Sequence, residues 1–331
     1  MPRVSIGLPV YNGERFLKEA IESILSQTFQ DFELIISDNA STDRTREICA
    51  AFVARDRRVR YFRNEVNLGA GKNYNRVFEL SSGMYFKWAG HDDICVPDFL
   101  LKCINVLDRD PSIVLCYPKM IDIDEEGKSL GTRNISHIPR AERGSYPKPH
   151  QRFRRLIRTD YTCEEIFGVV RSDVLRKTKL ILNYTDSDRT LLAELSLYGR
   201  FFEVPEVLFY HRMHKSMSTK VYGGWQERTA WFDPGKQGRA VFPLWRQFFE
   251  YIKCIFRVPL RRTERALCFF PMGIWLRDQW IDMLRELTKG AGQILRSALT
   301  RKPRRLGGGS GGNTNGLRHS FSQSEVHTER R

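Results

Sequence analysis

The sequence predicts an α/β protein, a Rossmann-like and mostly parallel central sheet flanked by helices, with a basic helical extension at its C-terminal end. Three observations carry that prediction. Short apolar runs alternate with stretches of helical periodicity through the first part of the chain. Clusters of Asp, Asn and Ser follow directly on the apolar runs. From Trp225 onward the pattern changes, and aromatic residues alternate with arginines.

The elements follow in order. Residues 4–9 form a short apolar run suited to a buried parallel strand. Residues 14–27 are helical in period, with Phe16, Leu17, Ala20, Ile21, Ile24 and Leu25 on one face. Residues 32–37 are the next strand. Ser41, Thr42 and Asp43 are natural caps for a helix to about residue 53. Strands are expected over 58–62 and 84–88, with a helix over 70–80 between them. Pro97 opens a helix to about residue 107, and 113–117 is a further strand. Residues 129 to about 161 are polar, basic and proline-containing, and read as a looped excursion. Strand character resumes over 165–170. Residues 187–198 look helical and stop at Gly199, and 201–204 and 207–212 read as two strands. The Gly/Ser/Asn-rich stretch 307–331 reads as a flexible tail. The expected division is an α/β domain over 1–220, a basic aromatic helical region over 221–306, and the tail.

Composition bounds the function. With 331 residues, 41% hydrophobic and 12% aromatic, the chain can bury a full core and is not mainly disordered. Its net charge of +15, heaviest from about Arg239 on, suits nucleic acid, an anionic membrane surface or phosphate-bearing substrates. The seven cysteines are odd in number, mostly in apolar runs and without a C-x-x-C pair. They read as reduced core thiols of a cytoplasmic protein, and argue against zinc. The first ten residues already read as a strand, so no signal peptide is expected. The best apolar window, 266–276, falls short of the ~18 residues of a membrane span and contains Pro271 and Gly273.

Alternating strands and helices place function at the carboxyl edge of the sheet. Three polar clusters fall there: Tyr11-Asn12-Gly13, Asp38 to Asp43, and Gly90-His91-Asp92-Asp93. The absence of G-x-G-x-x-G after the first strand disfavours a dinucleotide oxidoreductase, and no P-loop is present. Carboxylates at a strand end, such as Asp92 and Asp93, can hold Mg²⁺ or Mn²⁺ against a diphosphate. They can equally form a solvated turn ahead of Pro97. Nucleic acid is not expected, because it leaves Asp38, Asp43, Asp92 and Asp93 without a role.

Pro9-Val10-Tyr11-Asn12, Ser37-Asp38-Asn39-Ala40-Ser41-Thr42-Asp43, Asn67-Leu68-Gly69 and His91-Asp92-Asp93 with Pro97 resemble, in order and spacing, the successive signatures of the family-2 glycosyltransferases with the GT-A fold. The resemblance covers roughly residues 1–215. It implies a UDP-, dTDP- or GDP-linked sugar donor, Mn²⁺ or Mg²⁺, and inversion at the anomeric carbon. It implies a base pocket at Pro9, Tyr11 and Asn12, and nucleoside contacts from Asp38 and Asn39. The family often has two acids there, and the Asn39 amide can still pair with a uracil or thymine edge. Lys72 either touches donor phosphate or is a solvated helix lysine. Asp92 becomes the main metal ligand, with Asp93 supporting the metal or contacting the ribose and His91 either flanking the metal or shaping the loop. The family's base is an acid at the start of a later helix. Spacing favours Asp188, with Asp186 in reserve, and either also suits an N-cap. Arg212 is matched to donor phosphate and His214 to metal or phosphate.

Trp245, Phe248, Phe249, Tyr251, Ile252, Ile255 and Phe256, with Lys253, Arg257, Arg261 and Arg262, suit helices lying at the inner face of an anionic membrane. They also suit helices packed on the catalytic domain with their charges solvated. In the first case the acceptor is a lipid-linked or membrane-proximal glycan, and the setting cell-surface or extracellular glycan synthesis. Two alternatives stand beside a transferase. A sugar-nucleotide nucleotidyltransferase needs a Gly-rich basic loop after the first strand, which Tyr11-Asn12-Gly13-Glu14 does not supply. A non-catalytic nucleotide-sugar-binding relative is opposed by intact Asp92, Asp93 and Asp188.

Overall fold

A computed structural model describes residues 1–131, 146–158 and 163–300, apart from the side chains of Thr219 and 293–300. The expected tail over 307–331, and the parts of the expected excursion at 132–145 and 159–162, lie outside the described residues.

Strand β1 (Val4–Val10) leads through α1 (Leu17–Leu25) to β2 (Phe32–Asp38), and α2 (Thr45–Val53) leads on to β3 (Val59–Arg63). Helix α3 (Ala70–Glu79) returns the chain to β4 (Tyr85–Trp88) on the far side of β1. These strands are parallel in the order β3-β2-β1-β4. The short β5 (Ile94–Cys95) and α4 (Phe99–Arg109) precede the long β6 (Ile113–Ile123), on which β7 (Ser129–Gly131) folds back. Then come α5 (Pro149–Leu156), β8 (Val169–Arg171), α6 (Ser172–Leu175), α7 (Ser187–Tyr198) and β9 (Arg200–Arg212). The described residues complete a nine-stranded sheet, β3-β2-β1-β4-β8-β6-β9-β5, parallel in its first half and mixed beyond β4. Helices α8 (Ser218–Val221), α9 (Trp225–Phe232), α10 (Pro243–Arg257) and α11 (Arg262–Thr300) follow.

The apolar runs read as strands because both sheet faces are covered. Val4, Ile6, Leu8 and Val10 point to one side, where Leu17, Ile21, Cys49, Phe99 and Leu100 of α1, α2 and α4 pack. Ile35, Phe86 and Trp88 point to the other, against Val77, Phe153, Leu191, Tyr251 and Trp275 of α3, α5, α7, α10 and α11. Gly7 lets α3 lie directly on β1, since a Cβ there would sit 2.5 Å from Val77 Cγ2. The cysteines are free thiols, buried except for half-buried Cys163.

Three expectations are corrected. The strand expected over 165–170 is a 3₁₀ turn, Glu164–Phe167, followed by β8, because the Gly168 N–H bonds back to the Glu165 carbonyl at 2.9 Å and closes the turn. The two strands expected over 201–204 and 207–212 are one strand. Pro205 falls in a register shift opposite Pro118, so its missing N–H interrupts the ladder without ending it. The α2 N-cap is Arg44, without a side-chain cap bond. Of the three expected caps, Asp43 accepts from Thr45 N at 3.0 Å, while Ser41 Oγ accepts from Asn12 N in the neighbouring loop at 2.9 Å.

Candidate active site

The loops after β1 and β2 are tied together rung by rung. Asn12 N donates to Ser41 Oγ and Asn12 Oδ1 accepts from Thr42 N at 2.8 Å. Gly13 N donates to Thr45 Oγ1 at 2.9 Å, Glu14 N to Asp43 Oδ2 at 2.9 Å, and Arg44 N to Glu14 Oε2 at 3.0 Å. Asn12 sits at a φ of 51°, a left-handed conformation that Asn tolerates better than most residues. Tyr11 is left exposed at the mouth of this pair of loops, and Pro9 is buried in β1 opposite Ser37.

Asp38 and Asn39 turn inward. The Asp38 side chain has no exposed surface. Its carboxylate accepts from Ser41 N at 2.8 Å, Tyr61 Oη at 2.7 Å and Arg63 Nη1 at 2.6 Å. Burial raises its pKa, but these bonds outweigh burial and hold it below the ordinary value. The buried Asn39 amide accepts from Asn64 Nδ2 and Leu68 N, each at 2.9 Å, and donates to Asn67 Oδ1 at 2.8 Å. Asn73 joins the same network by accepting from Asn64 Nδ2 at 3.1 Å, and extends it to Ser37. Neither side chain lies open to a base edge, so what both supply is the shape of the loop wall. Lys72 is exposed in the first turn of α3, whose N-cap Gly69 has a φ of 84°.

The third loop carries the carboxylates. Asp92 Oδ2 and His214 Nε2 are 2.9 Å apart, brought together from the ends of β4 and β9. Burial pushes Asp92 up, but the charge of His91 and the bond to His214 outweigh it and hold Asp92 well below its usual range. Asp93 goes the other way, raised by burial and by the charge of Asp92. Its Oδ1 accepts from Arg212 N at 3.1 Å. The Arg212 guanidinium, expected at the donor phosphate, is buried and engaged within the protein. It donates to the carbonyls of Asp92 (3.0 Å), Asp124 (3.2 Å) and Glu125 (3.0 Å) and to Glu19 Oε2 (2.6 Å), and lies over the Phe16 ring. Arg212 is therefore the clamp that fixes the Asp92 loop, not a group presented to phosphate.

The metal fit is that of a pair, not a cage. Among the described residues no three His, Cys, Asp or Glu side chains converge as a cation site, so Asp93 does not complete a triad with Asp92 and His214. His214 is nearly fully buried, and its Nδ1 has no hydrogen-bond partner. One carboxylate and one imidazole suit a cation that takes its remaining ligands from a bound diphosphate, as Mg²⁺ commonly does.

Asp188 lies in the first turn of α7, after Asp186 at a φ of 61°. Burial, then the charge of Asp186, raise the Asp188 pKa. The Tyr74 phenol of α3 feels three of these carboxylates. Burial raises its pKa, and the charges of Asp92, Asp93 and Asp188 all add to the shift. The C-terminal helices build the surroundings of α7. Gln247 Nε2 reaches the Asp186 carbonyl and Arg228 Nη2 the Asp186 carboxylate, each at 3.5 Å, and Asn183 Nδ2 donates to Asp233 Oδ2 at 2.7 Å. A cleft of about 400 Å³ opens beside Asp186 and Arg189, walled by Trp225, Gln247, Trp275 and Gln279.

Sequence reasoning missed Tyr74, the Tyr61–Arg63 pair on Asp38, and the Glu19 partner of Arg212. Tyr74 and Glu19 lie on helices where nothing in the local pattern separates them from ordinary surface or packing residues. Arg63 ends a strand next to Asp38 and was readable only once β2 and β3 were paired.

The architecture is that of the GT-A glycosyltransferases. Staphylococcus aureus TarS 1-349 in complex with UDP-GlcNAc superposes with a TM-score of 0.59 at 16% identity, over 80% of this chain and 70% of that one. The mannosyltransferase PcManGT from Pyrobaculum calidifontis, in complex with GDP-Man and Mn²⁺, superposes with a TM-score of 0.52 at 14% identity, over 91% of this chain and 76% of that one. At such identities the likeness shows the fold alone. The chain itself belongs to glycosyl transferase family 2, whose model matches residues 5–177. An uncharacterised glycosyltransferase of Haemophilus influenzae is 28% identical over 235 residues, covering 69% of this chain and 71% of the relative. The protein is a glycosyltransferase.

Proposed function

We propose that this enzyme moves a sugar from a nucleotide-diphosphate donor to an acceptor hydroxyl with inversion, assisted by Mn²⁺ or Mg²⁺, in the building of cell-surface or extracellular glycans from the cytoplasmic side of a membrane. The observation that carries the reading is convergence. Asp92 and His214 come from distant segments, at the ends of β4 and β9, and meet at 2.9 Å. The donor complexes of the two structural neighbours lend support, since one holds UDP-GlcNAc and the other GDP-Man with Mn²⁺.

The nucleotide lies against the tied loops after β1 and β2, with Tyr11 at the base and Lys72 near the phosphates. Asp92 and His214 hold the cation, which when bound offsets the negative charge growing on the leaving diphosphate. Asp188 accepts the proton of the acceptor hydroxyl as that oxygen attacks the anomeric carbon. The bond to the diphosphate oxygen breaks on the opposite face, so configuration inverts. A raised pKa makes Asp188 a better proton acceptor than an ordinary Asp. The acceptor approaches along the cleft beside Asp186.

Calorimetric titration of UDP, GDP and dTDP, first with Mn²⁺ and then with EDTA, tests the donor site. One diphosphate should bind with Mn²⁺ and lose affinity on chelation, which also names the base. No binding of any of the three in Mn²⁺ overturns the reading.

A further inference from the structure

We propose that the outward face of α11 docks the protein on an anionic lipid bilayer, with the helix lying flat on the surface. Cys268, Met272, Trp275 and Met283 of this helix are buried against α10 and α5. Opposite them the helix does not turn polar. Phe270 is 66% exposed, Trp280 51%, Ile281 49%, Leu284 47% and Leu287 43%. Their spacing keeps them on one side of the helix. Phe256 of α10, 59% exposed, extends the patch by packing on Phe269 at a ring distance of 6.0 Å. The face thus runs continuously over two helices, and a monomer in water rarely leaves so large an apolar surface uncovered.

Charge selects the occupant. Arg261 and Arg262 are exposed at the start of α11, and Lys253, paired with Glu250 at 2.9 Å, is exposed on α10 near Phe256. Arg277 stands at the middle of the apolar stripe, 74% exposed, with its partner Asp278 to the side. A parallel two-fold pairing of the stripe with a second copy sets Arg277 against Arg277, and an antiparallel one that covers the stripe from Phe270 to Leu287 brings the two arginines within about one helical turn of each other. A bilayer takes the same arginine without conflict, since its stem lies on apolar surface and its head reaches lipid phosphate. Trp280 is suited to that depth. No described helix is long and apolar enough to cross a membrane, so α11, at 39 residues, lies along the surface.

The docking does not depend on the transferase reading; what it delivers does. The protein-facing side of α11 contributes Trp275, Gln279, Asp282 and Lys289 to the cleft beside Asp186. A helix resting on lipid therefore keeps that cleft on its protein-facing side, about one helix diameter (~10 Å) from the bilayer surface, within reach of an acceptor glycan carried on a lipid.

The test is co-sedimentation of the full chain with vesicles of phosphatidylcholine alone or mixed equally with phosphatidylglycerol, without donor or metal. Wild type should sediment with the mixed vesicles and be released by salt. Phe270→Glu with Leu284→Glu should cut binding by at least about tenfold, with thermal melting unchanged because both positions are exposed. Should the double variant misfold, Arg277→Glu decides, by weakening binding only to the anionic vesicles. Wild type left in the supernatant at low salt, or variants that sediment as wild type does, overturns the proposal. So does a dimer in sedimentation velocity that the double variant dissolves while vesicle binding is absent. None of these results touches the donor site, which the diphosphate titration tests on its own.

Discussion

Gly90→Ala disturbs the metal loop and little else. Gly90 is not among the residues with positive φ, so alanine brings no backbone strain. Its methyl would lie 2.8 Å from Asp92 Oδ1 and nearer still to Asp93 Oδ2, where ordinary contact begins at 3.4 Å. Asp92 must therefore move by at least about 0.6 Å, and Asp93 further. Both obstructing atoms are ends of side chains, so the loop can yield at a stability cost of about 1 kcal/mol. The catalytic geometry cannot yield as cheaply. A displacement of this order at a reacting centre lowers turnover by about 10²-fold. The assay is sugar transfer as a function of Mn²⁺, with thermal melting in parallel. Turnover should collapse and the apparent Mn²⁺ affinity weaken, while melting shifts by a few degrees at most. Wild-type turnover with wild-type Mn²⁺ dependence would refute the placement of the cation at Asp92.

Other outcomes follow from the same geometry. Asp188→Asn should lower turnover by about 10²–10⁴-fold with diphosphate binding intact in calorimetry; retained turnover moves the base to Asp186. The base works ionised and its pKa is raised by burial and by Asp186, so rate should be lost as pH falls through a limb lying above the ordinary aspartate value. Asp186→Asn removes the neighbouring charge and should move that limb down; a stationary limb in the pH profile counts against the pairing. Arg257 pairs with Glu194 at 2.6 Å, and the Glu194 side chain is 3% exposed. Arg257→Ala strands that carboxylate and should cost about 3–5 kcal/mol in urea unfolding, much of it recovered by adding Glu194→Gln. A loss under about 1 kcal/mol would mean that Glu194 simply takes up a proton or finds water.

The sheet was readable because its strands are buried on both faces and its crossover helices have one apolar side each, so period alone separates them. That is how Val4, Ile6, Leu8 and Val10 announce β1. The clusters were readable because a parallel sheet brings successive strand ends to one edge, whatever the side chains then do. What they do was less legible. Asp38, Asn39 and Arg212 have the residue types that bind a nucleotide and the partners that bury them, and apart from Ser41 beside Asp38 those partners lie 20 or more positions away in sequence. Polar residues in a loop look alike whether they face the ligand or hold the loop that faces it. The α2 caps failed for the same reason, since Ser41 serves a loop from another strand rather than its own helix. The C-terminal helices presented two alternatives, packing or a membrane. The fold gives α11 one buried face and one exposed apolar face, a distinction invisible while its partners were unknown.

The tied loops after β1 and β2 also bear on how such an enzyme changes its donor. With Asn12 bound to both Ser41 and Thr42, and Glu14 bound to both Asp43 and Arg44, neither loop has a shape of its own to alter. A replacement in one is a replacement in half of a joint. On the proposed placement of the nucleotide against these loops, donor preference would be inherited in blocks. Residues 11–14 and 41–45 must be exchanged together if a graft from another transferase is to hold its form, and single substitutions there will read as damage rather than as new specificity.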